Sequence, residues 1–106
     1  MVSFNYDPQE KVFTATFNGR MDTLAVQKIS EIIQINLPVK DGKSNDMIIF
    51  DLQNVDYISS SFIRICVSVA KQAGTGQFAI TNCQPFIKKT FKISGLDDIL
   101  NVRLFR

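Results

Sequence analysis

The chain contains no histidine, which removes the side chain that titrates near neutral pH and the commonest protein ligand for metals. A Ser-His-Asp relay cannot be assembled without it. Only two cysteines occur, Cys66 and Cys83, and neither belongs to a Cys-x-x-Cys pair. Two thiols without histidine cannot fill the four positions of a structural zinc site. Neither cysteine opens a Cys-x5-Arg phosphatase loop, because the sixth residue onward is Gln72 in one case and Lys89 in the other. Both stand in apolar stretches and are expected as buried free thiols. No catalytic, cofactor-binding or metal-binding residue is therefore expected.

Charge of one sign is also scarce. Twelve basic against ten acidic residues leave a net charge of +2, and no stripe of Lys and Arg interleaved with aromatics marks a nucleic-acid surface. The basic pairs are Lys88-Lys89 and Arg103 with Arg106. Lys88-Lys89 has the charge to meet an acidic partner or anionic lipid, yet two lysines on an exposed helix face are usually only solvated charge. No apolar run approaches the roughly 18 residues of a membrane span. Residues Met1 to Tyr6 lack the features of a leader. The expectation is a soluble, cytoplasmic protein with no membrane insertion and no nucleic-acid partner.

What is present is a core. A 106-residue chain that is 45% hydrophobic has room for a single domain over 1–106 and can bury roughly two-thirds of its unfolded surface. Val2 to Tyr6 and Lys11 to Asn18 alternate in polarity across the turn residues Asp7-Pro8 and predict a hairpin. Asn18-Gly19 is expected to break the second strand. Asp22 or Thr23 caps a helix whose apolar positions Ala25, Val26, Ile29, Ile32, Ile33 and Leu37 have helical spacing, and Pro38 ends it. Val39 to Asp46 reads as a surface loop.

Met47 to Leu52 is a near-continuous apolar run, the pattern of a strand buried on both faces of a parallel sheet. Asn54 to Ile58 is expected as the loop leaving it. A second helix spans about Ser60 to Ala73 and stops at Gly74 and Gly76. Gln77 to Asn82 is a further strand. A third helix starts at Gln84-Pro85, carries Phe86, Ile87, Thr90 and Phe91 on its apolar side and ends at Gly95. Leu96 to Leu100 is a short helical turn and Asn101 to Phe105 a last strand. The order β-β-α-β-α-β-α-β predicts an α/β domain with a mixed, mostly parallel sheet and helices packed on it.

The run Ser59-Ser60-Ser61 opens the second helix. Nucleophilic use has no base to serve it, and the segment is not a G-x-S-x-G elbow. Capping explains one of the three, Ser59. At about 100° per residue, Phe62, Ile63, Ile65, Cys66, Val67, Val69, Ala70 and Ala73 fall on one arc. Ser61, Arg64, Ser68, Lys71 and Gln72 fall on the other. A phosphate on Ser61 would sit in the first turn, favoured by the helix N-terminus, with Arg64 one turn on.

The stretch Ile48-Ile49-Phe50-Asp51-Leu52-Gln53-Asn54-Val55-Asp56-Tyr57-Ile58-Ser59-Ser60-Ser61 resembles the signature segment of STAS domains, as in anti-sigma factor antagonists. In that family a strand with Asp-Leu leads through a Val-x-x-Ile loop to a D-S-S-G motif opening a helix. Phe17-Asn18-Gly19-Arg20-Met21-Asp22, Ala70-Lys71-Gln72-Ala73-Gly74 and Phe91-Lys92-Ile93-Ser94-Gly95-Leu96-Asp97 resemble other segments of the family and extend the likeness over nearly the whole chain.

The resemblance implies a bacterial STAS fold, a non-enzymatic role and a phosphoacceptor at Ser61, with Ser60 as the second candidate. It implies a partner surface comprising Asp22, Ser59, Ser60, Ser61, Phe62 and Arg64. The partners would be an anti-sigma factor with serine-kinase activity and a cognate phosphatase. Two positions depart from the motif: Ser59 replaces its Asp and Phe62 its Gly. Phe62 can serve the core or present an apolar contact to a partner. The same resemblance accommodates an unphosphorylated structural STAS subunit of a lipid-transport or signalling assembly.

Overall fold

A computed structural model of the chain describes residues 1–38 and 46–103. Strand β1 (Val2–Asp7) pairs antiparallel with β2 (Val12–Met21), from Val2 opposite Phe17 to Asp7 opposite Val12. The turn between them is held by the Asp7 carboxylate, which accepts the backbone N–H groups of Gln9 and Glu10 at 3.0 and 3.2 Å. Alternation in β2 buries Phe13, Ala15 and Phe17. The expected break at Asn18-Gly19 does not occur. Gly19, at φ 94°, absorbs an irregularity in the pairing and the strand continues to Met21. Helix α1 (Thr23–Asn36) follows and buries Val26, Ile29 and Ile33. The loop expected over Val39 to Asp46 lies, for residues 39–45, outside the described residues.

Strand β3 (Met47–Ile58) runs parallel to β2 and is twice the expected length, because Asn54 to Ile58 is strand and not loop. Thr16 pairs with Asp51 but Asn18 with Asn54, and Gly19 pairs with Val55 but Arg20 with Tyr57. At each shift β3 uses one residue more than β2, the mark of a β-bulge. Burial along the bulged half falls on Leu52, Val55 and Ile58.

Helix α2 (Ser60–Ala73) buries Phe62, Cys66, Val69 and Ala73. Strand β4 (Phe78–Thr81) lies parallel to β3 and is buried throughout. Helix α3 (Pro85–Ile93) buries Ile87 and Phe91. Phe86, expected on that apolar side, is exposed, since it sits about 100° round the helix from Ile87. A single helical turn closes with the Leu100 N–H on the Leu96 carbonyl at 2.9 Å. Of the strand expected over Asn101 to Phe105, the described residues contain one parallel bridge, between Val102 and Ile80. The sheet order is β1-β2-β3-β4, a single α/β layer structure in the predicted element order.

Helices α1 and α2 contact each other, and a chain of rings fills the core between α2 and the sheet. Phe17 meets Phe50 edge-on at 4.8 Å, and Phe50 meets Phe78 at 5.1 Å. Among the described residues no helix is long and apolar enough to cross a membrane.

Candidate functional site

The two β→α turns that follow the parallel strands β2 and β3 lie side by side. Met21 pairs with Ile58 at the ends of those strands. The Ser59 N–H then donates to the Met21 carbonyl at 2.9 Å. This contact places Asp22, which starts α1, beside the serine run that starts α2. Such a position, at the carboxyl ends of parallel strands, is where open α/β sheets commonly form sites.

Both helix starts are capped by side chains. Asp22, in extended backbone geometry, accepts the Ala25 N–H at 2.9 Å. Ser59, at φ −94° and ψ 168°, accepts the Phe62 N–H through its hydroxyl at 3.3 Å. Its carbonyl takes the Ile63 N–H at 3.1 Å. Ser59 is buried, so its side chain is committed to the cap. Ser60 is exposed and Ser61 half-buried, both in the first turn of α2. That turn carries no acidic side chain, leaving its partial positive charge uncompensated. Arg64, three residues after Ser61, is exposed.

Phe62 departs from the rest of the group. Its ring is fully buried and stands edge-on to Phe17 at 5.2 Å, with Phe50 at 6.5 Å. Of the two roles open to Phe62, core or partner contact, the core one agrees with its burial, because no part of the side chain reaches the surface. The structure thus groups Asp22, Ser60, Ser61 and Arg64 around two helix starts, with Ser59 and Phe62 beneath as cap and anchor.

Two residues escaped the sequence reading. The Arg20 guanidinium carbon lies 4.4 Å from the centroid of the Tyr57 ring, in cation–π geometry, and the two are direct partners in the β2–β3 pairing. They stand immediately before Met21 and Ile58, on the rim of the same site. No local signal could have joined them, since their pairing depends on the bulged register of β3.

Asp51 serves the fold rather than the site. Asp51 accepts the Gln53 N–H at 3.0 Å and the Asn82 side-chain amide at 3.2 Å, tying β3 to the exit of β4. Cys66 and Cys83 are buried free thiols. Burial pushes the Cys66 thiol well up, with the nearby Cys83 adding to the rise, and burial raises Cys83 to about 12 despite the opposing effect of Lys88. Among the described residues no cluster of three or more His, Cys, Asp or Glu side chains could hold a metal ion.

The sequence model of the STAS domain matches residues 4–106. A curated relative, the protein BtrV of Bordetella bronchiseptica, assigned by name as an anti-sigma factor antagonist, is 31% identical over 75 residues. That alignment covers 69% of this chain, and the chain spans 65% of the relative's own length, somewhat under two-thirds. Among solved structures, an anti-sigma-factor antagonist (STAS) domain protein from Planctomyces limnophilus superposes with a TM-score of 0.80 at 18% identity, covering 98% of this chain and 88% of that one. The anti-sigma factor antagonist SpoIIAA in its unphosphorylated form superposes with a TM-score of 0.70 at 17% identity, covering 96% and 87%. At these identities the two superpositions establish the fold.

Proposed function

We propose, from the premise that the chain belongs to the STAS domain family, that it is a phosphorylation-controlled protein-binding regulator of the anti-sigma factor antagonist type. In the unphosphorylated state it binds an anti-sigma factor with serine-kinase activity, or a related switch protein, and frees that protein's other client. The kinase then phosphorylates Ser61, with Ser60 as the second acceptor, and a phosphatase resets the switch. The domain supplies a surface and no catalysis, and it acts in the bacterial cytoplasm on transcription.

The observation that carries this reading is the construction of the α2 start. Ser59 is spent on the cap and Phe62 on the core, while Ser60 and Ser61 remain at the surface of an acid-free first turn. A phosphate there adds a charge of about −1.5 to −2. The helix N-terminus stabilises that charge, and Arg64 at i+3 is within reach of it. Phosphorylation accordingly leaves the fold intact and changes the surface shared by Ser60, Ser61, Arg64 and Asp22. A partner whose acidic or close-packed surface fits that patch is expelled by repulsion and desolvation.

The test is incubation with the cognate kinase and ATP, with phosphate mapped by mass spectrometry. Label on Ser61 that disappears in Ser61→Ala is expected. Ser61→Asp should fold like the wild type and lose most of its affinity for the partner. Absence of label, or undiminished partner binding by Ser61→Asp, would identify the chain instead as a structural STAS subunit that is not switched by phosphate.

A further inference from the structure

The nine residues of α3 carry three lysines and no acid. Ile87 and Phe91 face the core. At about 100° per residue, Lys89 stands opposite them, with Lys92, Pro85 and Lys88 to one side and Ile93 and Phe86 to the other. Phe86 is 50% and Ile93 77% exposed. They are seven residues apart, about 10 Å along one side of the helix. Between the lysines lies only a shallow depression lined by Pro85, Lys88, Lys89, Lys92 and Ile93. The next acids in sequence, Asp97 and Asp98, come after the helix has ended at Ile93.

We infer that the outer face of α3 is a peripheral docking surface for an anionic lipid bilayer. Charge complementarity comes from three flexible ammonium groups, which act as point charges and need no fixed geometry. Their methylene stems can lie along apolar surface while the charged ends reach headgroup phosphates. Phe86 and Ile93 supply the shallow apolar contact typical of interfacial helices, which lie on a bilayer without spanning it. An acidic protein is the poorer fit. One short convex helix presents far less than the roughly 800 Å² per partner of a specific interface, whereas a bilayer asks for no shape complementarity. This inference uses none of the residues around Ser59 to Ser61 and stands or falls separately from the switching role.

Sedimentation of the full chain with large vesicles tests it. Each lysine near an anionic surface contributes about fivefold, so binding to equimolar phosphatidylcholine and phosphatidylglycerol should exceed binding to phosphatidylcholine alone by about 100-fold. It should weaken steeply with added salt. Lys88→Gln/Lys89→Gln/Lys92→Gln should remove the anionic preference, and Phe86→Ser/Ile93→Ser should reduce binding on the anionic vesicles. Circular dichroism and thermal melting confirm that both variants are folded, which is expected because every substituted position lies outside the core. Equal binding to both vesicle types, or undiminished binding by either variant, overturns the inference. So does a failure to bind vesicles accompanied by salt-sensitive binding to polyglutamate, which would assign the face to an acidic protein.

Discussion

A phenylalanine at position 62 ties the start of α2 to the middle of the sheet. Its ring stacks edge-on against Phe17, which in turn meets Phe50, so one side chain joins the helix, β2 and β3. In the family motif this place belongs to glycine, which has no ring to anchor anything. Truncating a buried phenylalanine removes its transfer energy and leaves a cavity, so Phe62→Ala should cost about 3–5 kcal/mol in urea denaturation. Phe62→Gly should cost about 1 kcal/mol more, from its weaker helix propensity. A loss below about 1 kcal/mol for Phe62→Ala would contradict the core assignment. Sequence periodicity could not settle this point. It set Phe62 on the same arc as Ile63, Ile65 and Val67, of which the structure buries those three only partly. An arc states which side a residue faces, whereas depth depends on what the neighbouring strands bring to meet it.

At the scale of elements, what was legible in the sequence was local. The α1 and α2 starts fall at the capping residues Asp22 and Ser59 because a cap is decided within three or four residues of chain. Ser59→Ala removes the acceptor for the Phe62 N–H and should cost about 1 kcal/mol, read as a lowered melting temperature. Ser59→Asp, which supplies the carboxylate of the family motif, should preserve stability, since Asp caps as well as Ser. If Ser59→Ala melts with the wild type, the hydroxyl contributes no cap. Strand β3 shows the opposite case. Its second half reads as loop because two extra residues against β2 replace period-two alternation with burial at Leu52, Val55 and Ile58. A bulge is a property of a pair of strands, and the partner of Asn54 or Tyr57 is not written near either residue. The Arg20–Tyr57 stack was hidden for the same reason. The site residues that were legible are those named by the helix start, and those that were not depend on the pairing of distant strands.

The molecule as a whole brings Cys66 of α2 and Cys83, just after β4, into one core. Their distance in sequence gave no reason to couple them, but burial of both thiols followed from their apolar surroundings. That burial makes stability depend on pH. An unfolded cysteine releases its proton near pH 8.5, whereas the folded state holds Cys83 protonated to about 12 and Cys66 well above its ordinary value. Over that interval the folded chain binds more protons than the unfolded one, so the derivative of unfolding free energy with pH is negative. The full contribution is present below about pH 8.5 and is lost progressively as pH rises toward 12. The fully buried Cys66 contributes a decline of the same sign within this window. Tyr6, raised by its hydrogen bond to Asp46, adds a loss of the same sign, but only above pH 10. Urea denaturation at intervals from pH 7 to about 10 stays below the Tyr6 contribution. The wild type should be flat at first and then decline, whereas Cys66→Ala/Cys83→Ala, less stable throughout because of its cavities, should decline less. Parallel profiles would show that the thiolates form in the folded state as readily as in the unfolded chain, contrary to their place in the core.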